Sequence, residues 1–251
     1  MRNLWKIAVA AVAGCGLLMA QAVSAQEEGG VVPVEWYACN FNDGKDLEDL
    51  DKVTARFNKW ADKNDAGYSA WLMFPNLHSG VEYDFGWLGS WPSGADFGKG
   101  TDAFMQSPDM IDAFNEVVDC SLGHEMASSA VINAPDGPPD NGVVIFSACT
   151  HEEGKNFDDS YAAHKTMSDT MRSMGGKGAS WIFYPGLGSN VEFDYWQVTA
   201  FQNYSDLGMA TEMYTNGGGW KKAAEILGPV VSCGGSSVWN ARLVRAGAGT
   251  R

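Results

Sequence analysis

The sequence predicts an α+β protein in which one β-α-β-β-α-β unit is written twice. Three observations carry that prediction. Trp71, Pro75, Leu77, Ser79, Val81, Glu82 and Asp84 recur as Trp181, Pro185, Leu187, Ser189, Val191, Glu192 and Asp194, 110 residues later at every position. The register holds upstream (Ala38-Cys39 against Ala148-Cys149) and downstream (Asp96 and Gly98 against Asp206 and Gly208), which marks an internal duplication. Within each copy, apolar residues switch between period two and period 3.6 in the same order. Finally, the run from Ala134 to Gly142 holds three prolines and two glycines without periodicity, so it reads as a boundary. The chain divides into a leader at 1–25, a first unit at 26–134, a linker at 135–142, a second unit at 143–245 and a tail at 246–251.

Taken in order, residues 32–41 are rich in Val and aromatics and read as a strand, closed by the turn Asn42-Asp43-Gly44. Asp46 can cap a helix running to Lys63, with Leu47, Leu50, Val53, Phe57, Trp60 and Ala61 on one face. Residues 68–77 and 81–91 are two strands joined by a hairpin-length connection. A helical or loop segment from Gly94 follows, then a helix from Pro108 to Val118 and a strand over 121–133. The second unit repeats the order. Its strands are 143–150, 179–186, 191–201 and 231–244, with a helix over 156–173 and helical pieces over 205–215 and 220–227. The extra Gly217-Gly218-Gly219 shifts Cys233 to 113 residues after Cys120.

The N-terminus reads as an export signal. Arg2 and Lys6 precede an apolar run over 7–20, too short for a membrane span, and Val23-Ser24-Ala25 offers small residues at a cleavage point before Gln26. A rival reading takes Val12-Ala13-Gly14-Cys15 as a bacterial lipobox that would leave Cys15 lipidated. The apolar residues continuing over 16–20 favour ordinary cleavage. Either way the expected location is periplasmic or secreted, and no other run is long enough to span a membrane.

Residues 1–25 carry two cations and no acid, so their removal takes the formal charge from −14 to −16. A balance this acidic argues against nucleic acid and anionic membranes, which require basic patches. It is consistent with solubility, or with attraction of cations. Export permits disulfides. Four cysteines besides Cys15 allow three pairings, and the repeat selects Cys39–Cys120 and Cys149–Cys233, one in each unit. No cysteine or histidine spacing suits zinc.

The order β-α-β-β-α-β is ferredoxin-like, with strands laid out 4-1-3-2. That layout brings Cys39 beside Cys120 and Cys149 beside Cys233. Residues 70–75 are apolar on both faces of their strand, so the face of the sheet without helices must also be covered. In this respect the chain resembles the dimeric α+β barrel superfamily in its fused, two-repeat form. The resemblance implies two sheets around a central cavity, and a monomer, since the second repeat supplies the dimer partner. The superfamily includes haem-dependent peroxidase-like and chlorite-degrading enzymes, cofactor-free monooxygenases, isomerases and binding proteins, so it guides chemistry weakly.

Haem members need an axial histidine in the second repeat. His151, at a strand end, and His164, on a helix among polar neighbours, are available, but neither shows a carboxylate partner in the sequence. No cofactor is therefore expected, and haem is argued against. Glu82 and Asp84, like Glu192 and Asp194, stand two apart on a strand and share a face. The four could converge on a hard cation or hold one acid with a raised pKa, or they could simply face water. His78 and His124 occur in the first unit only. His124 is the candidate for proton transfer; His78, Trp71 and Trp181 are candidates for contact with a ligand. Two functions stay open: an exported protein binding a small apolar or amphipathic molecule between its repeats, and a cofactor-light monooxygenase- or isomerase-like enzyme using His124 or a buried carboxylate.

Overall fold

The computed structural model describes residues 30–247. The expected leader, its cleavage point, Cys15 and the last residues of the tail lie outside this range. Fourteen elements follow one another in the described residues. β1 (Val31–Phe41), α1 (Leu47–Lys63), β2 (Ser69–Leu77), β3 (Phe85–Ser90), α2 (Gly94–Met105), α3 (Pro108–Asn115) and β4 (Val118–Asn133) form the first half. β5 (Gly142–His151), α4 (Phe157–Ser173), β6 (Ala179–Pro185), β7 (Tyr195–Phe201), α5 (Tyr204–Thr215), α6 (Gly219–Ile226) and β8 (Val231–Arg245) form the second. Two helices rather than one separate the third and fourth strands of each half.

All eight strands close into one antiparallel barrel in the order β1-β3-β2-β8-β5-β7-β6-β4. The first half lies in it as β4-β1-β3-β2 and the second as β8-β5-β7-β6. The halves meet edge to edge where β2 pairs with β8 and β4 with β6. Closure leaves no free sheet edge, which removes the liability of unpaired strands.

Local chemistry explains the elements. Asp46 caps α1 by accepting from the N–H groups of Glu48 and Asp49, and Asn156 with Asp159 forms a reciprocal capping box on α4. Leu50, Val53, Phe57 and Ala61 place one buried stripe of α1 on the sheet. Both expected disulfides are present, Cys39–Cys120 and Cys149–Cys233.

β3 and β7 begin at Phe85 and Tyr195, four residues later than the alternating pattern predicts. The chain over 78–84 is a loop held by its acid: Asp84 Oδ2 accepts from the N–H of Phe41 at 2.9 Å, and Asp194 Oδ2 does the same for His151 at 2.7 Å. The repeated aspartate thus ties each loop to the end of the first strand of its half.

Strand alternation divides the side chains into a lumen and an outer, helix-covered face. The lumen is apolar and aromatic, containing Val34, Met73, Val144, Phe146, Phe183, Val198 and Trp239, with Trp36, Trp71, Trp181 and Trp196 packed against them. Outside, the first half has a continuous core around Leu50, Phe57, Trp87 and Trp91. The second half has a much smaller one around Cys149, Ile182 and Tyr195.

Candidate functional site

A cavity of about 140 Å³ opens inside the barrel. Trp36 (β1), Phe146 (β5), Phe183 (β6), Trp196 (β7) and Trp239 (β8) contribute rings to its wall, and Tyr83, from the loop before β3, adds a sixth. The rings hold one another edge to face. Trp36 meets Phe146 at 5.7 Å and 73°, and Phe146 meets Trp196 at 6.3 Å and 88°, arrangements favoured by the aromatic quadrupole. Both halves of the chain contribute to the cavity.

Polar groups are few. Ser189 and Ser237 line the wall, as do Glu35, whose carboxylate is engaged by the Trp91 indole and His124, and Glu125, which pairs across the strands with Trp36 and therefore shares its inward face. Burial raises the pKa of Tyr83; donation from the Trp36 indole opposes this, and the Glu125 charge adds to it. The phenol therefore stays protonated across the physiological range.

Of the residues singled out in the sequence, Trp71 and Trp181 pack against the lumen cluster but do not line the cavity. The indole of Trp71 donates to the Asp140 carbonyl at 3.2 Å. His78 is exposed, and its Nδ1 accepts from the N–H of Val81 within its own loop. Glu82, Asp84, Glu192 and Asp194 are all exposed, and among the described residues no three of them come together as a cation site. The grouping of Cys149, Cys233 and His164 is no metal centre either, because the two sulfurs are bonded to each other.

His124 lies outside the barrel, on the helix side of β4. Its ring stacks on Tyr37 at 3.8 Å and 10°, and its Nε2 is 3.5 Å from Glu35 Oε2. Glu35 is only 6% exposed and also accepts from the Trp91 indole at 3.3 Å. Burial and the neighbouring Glu35 push the Tyr37 phenol well above its ordinary range. This is a buried carboxylate beside a half-exposed histidine. One repeat later the matching positions are Ile145, Ser147 and Ser236, the last pairing with Ser147 as His124 pairs with Tyr37, so the second half lacks it.

The second half carries its own polar cluster, on the corresponding outer face. Ser160, His164, Tyr184, Tyr195 and His151 stand where the first half has Leu50, Thr54, Phe74, Phe85 and Phe41. His164 Nε2 and the Tyr195 hydroxyl are hydrogen-bonded at 2.9 Å. Burial lowers the pKa of His164 to about 4 and pushes that of Tyr195 up to about 12. His151 Nδ1 is 3.0 Å from Asp194 Oδ2, while its Nε2 is buried without a hydrogen-bond partner. Ser160 Oγ and Tyr184 Oη are orphaned in the same way.

No protein-family model matches the chain, and no curated protein matches it by sequence. Solved structures do. A candidate monooxygenase from Fusobacterium nucleatum superposes with a TM-score of 0.57 at 10% identity, over 89% of this chain and 97% of its own. A candidate chlorite dismutase gives 0.53 at 11% identity, over 88% and 98%. A mutant chlorite dismutase from Candidatus Nitrospira defluvii gives 0.52 at 8%, over 85% and 92%. The chain has the dimeric α+β barrel fold. At these identities the likeness is one of fold alone.

Two findings overturn the expectations of no cofactor and against haem. Chlorite dismutases, whose chemistry is the haem-dependent branch of the superfamily named above, share this fold over most of the chain. The carboxylate-partnered histidine that the linear sequence does not display is present as His151 with Asp194. With the carboxylate beside Nδ1, Nε2 is the nitrogen left to act as a ligand, and here it is buried without a hydrogen-bond partner. The donor atom is of the kind that holds haem iron, although the lumen cavity does not reach it. His151 would hold the metal and Asp194 would orient the imidazole, and a haem bound there would supply redox-active iron. Sequence reasoning missed the pair because its members are 43 residues apart.

Proposed function

We propose that this is an exported protein whose barrel lumen binds a small apolar or amphipathic molecule. The observation that carries the reading is the cavity itself, walled by six aromatic rings and only a few polar groups. Its volume of about 140 Å³ suits a single ring or an equally compact group, since an apolar cavity of about 150 Å³ is enough to take benzene. The repeated register supports tandem ferredoxin-like units derived by duplication, with the two halves serving as each other's partner in a monomer. Export to the periplasm or beyond is supported by the N-terminal pattern and by two disulfides, which persist in oxidising compartments. Titration of tryptophan fluorescence with toluene and phenol tests the reading. Saturable quenching that disappears in Ala127→Leu, which fills the cavity, is the expected result; quenching that is absent or unchanged by that substitution rules it out.

A second reading, an enzyme of this fold, is favoured by the His151–Asp194 pair with its orphaned Nε2 and by Glu35 beside His124. In the first, Asp194 fixes the imidazole. In the second, Glu35 can accept and return a proton at His124 Nε2. Haem titration distinguishes them: a Soret shift in the wild type that is lost in His151→Ala and kept in His124→Ala supports the first centre only.

A further inference from the structure

From the wall of this cavity we infer that its ligand is an organic cation with a methylated ammonium head. The inference rests on the proposed lumen binding and names the chemical class of what binds there. Three indoles, a phenol and two phenyl rings line the cavity, and a cation placed over the face of such a ring is attracted by its quadrupole. Indole is the strongest of these, and Trp36, Trp196 and Trp239 supply three.

The carboxylate decides between a cation and a neutral guest. Glu125 is half-buried at the wall and has no hydrogen-bond or ion-pair partner among the described residues. No lysine, arginine or histidine lines the cavity to neutralise it. A neutral guest would dry this carboxylate without pairing it, which costs free energy. An ammonium head gives the acid its counter-charge and the rings their cation in one step. Methyl groups on the nitrogen spread the charge over an apolar surface, matching a wall with few hydrogen-bond acceptors. A trimethylammonium head is no larger than the benzene ring that a cavity of this size takes. The formal charge of −14 attracts cations from a distance.

The test is a pair of calorimetric titrations at matched ionic strength, one with tetramethylammonium chloride and one with a neutral alcohol of the same shape, 2-methylpropan-2-ol. The wild-type protein is expected to bind the cation at least tenfold more tightly than the alcohol. Glu125→Gln, which keeps the shape of the side chain and removes its charge, is expected to cut that preference at least threefold, by weakening the cation and relieving the alcohol of drying a carboxylate. Equal or tighter binding of the alcohol by the wild type overturns the cation assignment and leaves lumen binding standing. A preference that is undiminished in Glu125→Gln overturns the role of the carboxylate. Binding of neither compound removes both the cation assignment and the lumen reading for guests of this size.

Discussion

Trp36 and Trp239 meet edge to face across the barrel lumen, their ring centroids 5.3 Å apart and their planes at 83°. One belongs to β1 and the other to β8, so the wall of the cavity is assembled from both halves of the chain. Neither half could enclose it alone, and closure of the barrel through β2–β8 and β4–β6 fixes the rings in place.

Phe146 touches Trp36, Phe183, Trp196 and Trp239, and is the hub of this wall. Phe146→Ala is expected to cost about 3–5 kcal/mol, the usual range for deleting a buried ring. Urea unfolding followed by far-UV circular dichroism measures it. A loss below about 1 kcal/mol would mean that the ring is not packed as described.

Gly86 pairs with Ala38 on β1 and faces the Trp36 ring. A Cβ at this position would collide with that ring, so glycine is required by the close approach of an indole and not by backbone conformation. Gly86→Ala is expected to displace Trp36 and weaken lumen binding at least tenfold while leaving secondary structure intact. Near-UV dichroism and the fluorescence titration together report this.

His164 makes stability acid-sensitive. Its folded pKa of about 4 lies below the ordinary value near 6.5, so between those limits the unfolded chain takes up a proton that the folded chain refuses. Its contribution is complete above pH 6.5 and is lost as the pH falls towards 4, by about 3 kcal/mol in all. In His164→Thr, which installs the residue of the first half, the unfolding free energy is expected to vary less over this window. Unchanged acid sensitivity would place its origin elsewhere.

Each disulfide ties the first strand of a half to its last. Replacing Cys149 and Cys233 together by Ser is expected to destabilise the protein by about 2–5 kcal/mol. The thin core beside it leaves the second half more dependent on its bridge than the first. The fall in Tm should therefore be larger than for Cys39 and Cys120 replaced together, as differential scanning calorimetry would show.

Much of the architecture was legible in the sequence because a repeat constrains every element twice. The cysteines paired as expected since Cys39 and Cys149 occupy one structural position and Cys120 and Cys233 another. Strand starts were misplaced at Val81 and Val191 because acids alternating with apolar residues imitate a strand, whereas Asp84 and Asp194 instead fasten a loop. Cavity residues were harder to find. The repeat singled out Trp71 and Trp181, which pack against the lumen cluster, but the cavity falls to rings from five strands and a loop, and no linear pattern reports that convergence. The His151–Asp194 pair did leave a trace: a histidine stands where the other copy has Phe41, against an aspartate that both copies keep.

Native mass spectrometry of the protein purified from its own host, beside Ala127→Leu prepared identically, tests the central claim most directly. The wild type is expected to carry a small-molecule mass increment that the filled variant lacks, and the mass of that increment would identify the guest. An increment equal in both proteins, or none in either, would contradict a ligand held in the lumen.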